Sequence, residues 1–197
     1  MSAPVLGRLL RDVRACRLCA DALPHGPRPV LQVTATARVL IVGQAPGRRV
    51  HVTGIPFRDP SGVRLREWLG LDEATFYNAQ HVAILPMGFC YPGTGANGDL
   101  PPRPECAPAW RTRLLAAMPS IRLTVIIGQY AADWHLGARN RASLTETVRA
   151  WRDFGPALLP IPHPSPRNNI WLKKNPWFAR EVLPVLRQRV AAALAAG

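Results

Sequence analysis

Residues 38–47 read RVLIVGQAPG, an aliphatic, β-branched run that stops at one glycine and passes into a loop with a proline and a second glycine. An uninterrupted apolar run of this length suits a strand buried on both faces, as at the centre of a parallel sheet. Similar runs occupy residues 81–85, 123–127 and, shorter, 157–161, each bounded by Gly or Pro. Helical patterns separate them. Ser61 is expected to cap a segment carrying Val63, Leu65, Trp68 and Leu69, and Pro108 to begin one with Trp110, Leu114 and Leu115. Another follows Gly128 through Tyr130, Ala131 and Leu136, and Ser143-x-x-Glu146 has the form of a capping box. A last helix is expected over 176–195, and Val5, Leu6, Leu9, Leu10 and Val13 mark one face of an amphipathic helix near the start. The alternation predicts a three-layer α/β/α domain over residues 1–197 around a central four-stranded parallel sheet. Ligands of such folds gather at the carboxyl ends of the strands. The segments 43–47, 86–90 and 163–168 should therefore converge on one rim.

Four cysteines lie outside this frame, spaced Cys16-x2-Cys19 and Cys90-x15-Cys106. The start of the chain has no signal-peptide core, and no apolar run approaches a membrane span, so a cytoplasmic, nucleoid-associated protein with reduced thiols is expected. Two structural disulfides then become the weaker reading. Four thiolates suit an iron–sulfur cluster or zinc. Either would clasp the N-terminus onto residues 91–105, a proline-rich stretch too poor in apolar residues to fold alone. The formal charge of +13, almost all arginine, points to a polyanion such as nucleic acid. Enrichment in arginine from genomic base composition is the competing explanation.

Taken in order, GQAPG after the first strand, TGIPF at 53–57 and HPSPRN at 163–168 resemble the uracil-DNA glycosylase superfamily over nearly the whole chain. HPSPRN is similar to the minor-groove loop of the single-strand-selective monofunctional enzymes. The cysteine spacing resembles the family-4 enzymes, in which such cysteines hold a [4Fe–4S] cluster. That resemblance implies Cys16, Cys19, Cys90 and Cys106 as its ligands, with zinc as the alternative. It implies excision of uracil from DNA by a monomer that extrudes the base. Gly43, Gln44 and Ala45 would line the base pocket and Phe57 would stack on the base, unless Phe57 is ordinary core. His163 would donate to the departing uracil. Ser165, Arg167 and Asn168 would enter the minor groove, with Arg48 beside them. Arg49, Lys173 and Lys174, interleaved with Trp171 and Trp177, extend a possible phosphate-tracking face, although both tryptophans could equally pack the last helix onto the sheet.

Two positions depart from the pattern. Ala45 stands where several branches carry a water-activating Asp or Asn, which turns attention to His51 and Asp59 on either side of TGIPF. Asp59 has a capping role as its alternative. Pro86 stands where family-4 enzymes read uracil with an asparagine, leaving Gln44 or backbone groups of Met87, Gly88 or Phe89 to do so. A histidine within a K-R-R-I-H insertion, used by a branch that bonds covalently to its product, is absent from the sequence. The competing expectations are a non-catalytic binder of damaged or abasic DNA, and a glycosylase for hypoxanthine or xanthine.

Overall fold

The computed structural model describes residues 3–96 and 98–195. Its centre is a four-stranded parallel sheet in the order β2-β1-β5-β6, formed by β1 (Val39–Val42), β2 (Val82–Ile84), β5 (Leu123–Ile127) and β6 (Leu158–Ile161). A two-stranded antiparallel ribbon, β3 (Thr94–Gly95) with β4 (Gly98–Asp99), lies inside the proline-rich stretch. Nine α-helices are described: α1 (Ala3–Arg14), α2 (Arg48–Thr53), α3 (Pro60–Leu69), α4 (Glu73–Tyr77), α5 (Cys106–Ala116), α6 (Gln129–Leu136), α7 (Leu144–Arg149), α8 (Asn169–Lys174) and α9 (Leu183–Ala195). The sheet and its covering helices are those expected from the apolar runs. No helix among the described residues is long and apolar enough to cross a membrane.

Alternation along each strand sorts side chains between two cores. Val39 and Ile41 face a layer with Leu65 and Trp68 of α3, Phe76 of α4, and Leu186 and Val190 of α9. Leu40 and Val42 face Leu6, Leu9 and Val13 of α1, Leu114 of α5 and Ala131 of α6. Both faces are dry, which is why the strands read as unbroken apolar runs. The free edge of β2 is covered by Gln32, which bridges Ile84 and sends its side-chain amide to the carbonyls of Phe76 and Val82.

Several local expectations need correction. Val5 is 46% exposed, because the buried stripe of α1 runs through Leu6, Leu9 and Val13 only. Asp59, not Ser61, caps α3: its Oδ1 accepts from Gly62 N at 2.9 Å, with Pro60 in the first turn. α5 starts at Cys106, since a proline at position 108 still falls in a first turn where its missing N–H is unused. The last helix begins as a wide turn over Phe178–Val182 before α9. The capping box at Ser143 and Glu146 is present with both bonds.

One buried cation was not anticipated. Arg111 of α5 is fully buried and donates to the carbonyls of Leu85 (3.2 Å) and Pro86 (2.9 Å) just past β2. Its other nitrogens meet His135 Nε2 at 2.8 and 3.2 Å. Burial, then the Arg111 charge, pushes the His135 imidazole down to about 4 from 6.5. The unfolded chain therefore binds a proton that the folded one refuses between those values. Stability from this group is complete above pH 6.5 and is lost as pH falls toward about 4. The thermal midpoint should decline across that window, and His135→Gln, an acceptor that cannot titrate, should flatten the decline in a pH series of melting curves.

Candidate base-binding pocket and cysteine site

The loops after β1, β2 and β6 converge as the topology requires. Together they wall a cavity of about 470 Å³ lined by residues 43–50, Pro56, Phe57, Asp59, Pro86, Asp99, His163 and residues 165–167, among others. That volume suits a small planar ligand rather than a polymer. Its floor is rigid, because Met87 N donates to Gly43 O at 2.8 Å and Gly88 N to Gln44 O at 2.9 Å. These bonds continue the β1–β2 pairing beyond the strands.

Phe57 lies across this floor. Its ring edge sits 3.5 Å from where a Cβ on Gly43 would be, ordinary packing distance from the loop after β1. The ring meets Phe76 edge-on with centroids 6.3 Å apart. The Phe57 backbone has φ +54, in the left-handed region that bulky side chains avoid. Its carbonyl would lie 1.7 Å from a Cβ on Gly62. The segment is thus locked from below by a glycine of α3.

His163 follows β6 and is pinned through its own loop. Ser165 N donates to its Nδ1 at 3.2 Å, and Asn168 Nδ2 donates to its carbonyl at 2.7 Å. Burial lowers its pKa, against an upward pull from Asp59 and Asp99. A neutral imidazole accepting at Nδ1 carries its proton on Nε2. Arg64 Nη1 donates to Ser165 O at 3.1 Å, bracing this loop from α3. Arg48, Arg49 and Arg167 stand on the cavity rim. An adjoining open groove shares Phe57, Asp59 and Pro166 with the cavity and is bordered by Arg49, Arg58, Arg64 and Arg66. Arg66 is paired with Glu73 at 3.4 Å.

Other expected residues lie elsewhere. His51 does not line the cavity: it packs on His25 and Tyr91, with ring centroids 5.9 Å from each, because the α2 turn directs it to the opposite side. Burial lowers its pKa, with the Arg28 charge next in effect. Gly88 lines the cysteine cavity instead of this one. The amides of Met87, Gly88 and Phe89 are all occupied, on Gly43 O, Gln44 O and Cys106 Sγ, so none of the three is available to read a ligand. Gln44 directs its Nε2 to Leu100 O at 2.9 Å. Trp177 is buried, and Trp171 donates to Thr145 Oγ1 at 2.8 Å; both meet Phe178 edge-on, which makes them packing residues of the C-terminal layer. Asp99 was missed altogether. It reaches the cavity from β4, far from any motif, and no local pattern around Gly98-Asp99 announces it.

Cys16, Cys19, Cys90 and Cys106 line one cavity with Phe89, Arg103 and Trp110. All four are free thiols. Burial pushes Cys90 up to about 11 and Cys106 up to about 12, so a cation would be needed to hold either as a thiolate. Among the described residues no three His, Cys, Asp or Glu side chains are arranged to hold a single metal ion. Phe89 N donates to Cys106 Sγ at 3.4 Å.

A family model described as the uracil DNA glycosylase superfamily matches residues 31–187. The lock beneath Phe57 is directly testable. Gly62→Ala should lower stability by roughly 1–3 kcal/mol, as overpacking does, measured by denaturant unfolding. Gly26→Ala, where a Cβ meets nothing within 4 Å but φ is +72, should cost less.

Proposed function

Because the chain belongs to the uracil-DNA glycosylase superfamily, we propose that it is a monofunctional glycosylase that hydrolyses the N-glycosidic bond of uracil in DNA and leaves an abasic site. The observation that carries this reading is His163: a half-buried, neutral imidazole whose Nδ1 is held by Ser165 N, leaving Nε2–H as a donor in the cavity that Phe57 floors. A flipped base would stack on Phe57. As the bond from C1′ to the base lengthens, electrons pass to the base, and a fixed neutral donor at its oxygen stabilises that charge without having to lose a proton. Ser165 and Arg167 on the rim, and the arginines of the adjoining groove, are placed to meet phosphates on either side of the extruded nucleotide.

Cys16, Cys19, Cys90 and Cys106 would hold a [4Fe–4S] cluster, with zinc the lesser alternative. Such a group would supply a cross-link and no chemistry of its own, tying the segment after α1 to both ends of residues 91–105. DNA is the partner, met by a monomer.

One observation weakens the assignment to uracil itself, so a second reading, excision of hypoxanthine or xanthine, stands beside it. Pro86 and the occupied amides of residues 87–89 offer no donor to the uracil edge. A panel of oligonucleotides containing uracil, hypoxanthine or xanthine, single-stranded and duplex, distinguishes the readings. Uracil release with strand scission only after alkali is the expected result. Release of another base alone favours the second reading, and tight abasic-site binding with no release would leave a binding protein. His163→Ala should slow release by about 10²–10³-fold with little change in DNA affinity. Anaerobic preparations should show the visible absorption of a thiolate-ligated iron–sulfur centre, lost in Cys90→Ser.

A further inference from the structure

We propose that Asp99 is the carboxylate that accepts the proton of the attacking water, an assignment that rests on the glycosylase reading above. The loop after β1 has no such group of its own, since position 45 carries only a methyl. Two carboxylates line the same cavity, Asp59 and Asp99. Asp59 is held as a helix cap, with Oδ1 on Gly62 N at 2.9 Å. Asp99 is differently placed. Its Oδ1 has one long contact, from Thr94 Oγ1 at 3.4 Å, and no basic side chain among the described residues forms an ion pair with it.

The remaining oxygen lies over the loop that carries Ala45. Asp99 Oδ2 is 3.2 Å from where a Cβ on Gly47 would be, so a side chain at residue 47 would crowd the carboxylate. On the other side of the ribbon, a Cβ on Gly98 would fall 2.3 Å from Arg167 Nη1, and Gly98 itself has φ +125. The β3–β4 ribbon thus passes between the first and last loops, with Asp99 beside Gly47 and Gly98 beside the Arg167 guanidinium. The Gln44 Nε2 bond to Leu100 O, one residue on, holds it there. The carboxylate missing from the GQAPG loop is in this way delivered to it from the segment between Cys90 and Cys106.

The step balances simply. The bond between C1′ and the base nitrogen breaks, and its electron pair leaves with the base, stabilised by His163 Nε2–H. Water oxygen bonds to C1′, and the proton it loses passes to Asp99 and then to solvent. A positioned base of this kind contributes on the order of 10²–10⁴-fold.

The test compares single-turnover base release by the wild type, Asp99→Asn and Asp99→Ala on whichever oligonucleotide of the panel the wild type acts on. Asp99→Asn should lose about 100-fold or more in rate, while DNA affinity is unchanged or tighter because a negative charge has left the cavity. Added formate should restore part of the rate to Asp99→Ala, which a merely structural carboxylate would not permit. A wild-type rate in Asp99→Asn or absence of formate rescue would each overturn the proposal while leaving the glycosylase reading intact. A wild type that releases no base from any substrate would overturn both. Unchanged melting temperature and circular dichroism of Asp99→Asn establish that its loss is not one of folding.

Discussion

Two backbone bonds, Met87 N to Gly43 O and Gly88 N to Gln44 O, set the terms for everything around them. They carry the hydrogen-bonding of β1 and β2 past the ends of the strands, so the floor of the cavity is as stiff as the sheet. Arg111 reinforces the same point from beneath, gripping the carbonyls of Leu85 and Pro86 from a fully buried position. A buried guanidinium without a carboxylate is costly, and it is tolerated here because backbone carbonyls and His135 use its donors. The stiffness has a chemical consequence. Amides used to build the floor are not free to read a ligand, and selectivity passes to side chains above it.

Those side chains come from segments with little in common in sequence. Phe57 is held in a left-handed conformation by the close approach of Gly62, His163 is oriented by the amide of Ser165, and Asp99 arrives on a two-residue strand. Each is fixed by backbone contacts rather than by long flexible side chains, which suits a site that must hold its geometry while a ligand enters and leaves. The cysteine cavity touches this arrangement at Gly88 and at both ends of the segment that supplies Asp99. The four cysteines therefore flank the segment that forms one wall of the pocket.

Belonging to the uracil-DNA glycosylase superfamily accounts for the order of the loops, but not for how this chain fills them. Ala45 and Pro86 remove polar side chains from two walls, and the structure puts charge back from a third direction, through Asp59 and Asp99 near His163. The arginine groove beside Phe57 gives the net charge of +13 a location that tryptophans near the C-terminus do not.

The apolar runs at 38–42, 81–85, 123–127 and 157–161 determined the parallel sheet by themselves, because burial on both faces leaves a strand almost no polar positions. The loops after three of those strands followed from the topology, and with them His163 on the rim, whereas Phe57 was legible only through the family resemblance of TGIPF. Local capping was half legible. Ser143 and Glu146 form the box their spacing announces, whereas Asp59 took the capping role expected of Ser61, since either oxygen could serve and only the path of the chain before α3 decided. His51, Gly88, Asp99 and Arg111 were settled by tertiary structure alone. A residue one turn along α2 faces the pocket or its far side according to how the helix docks, and a two-residue ribbon has no periodicity to read. Sequence proximity to a motif placed His51 and Gly88 at the site; the packing of loops against loops placed Asp99 there instead.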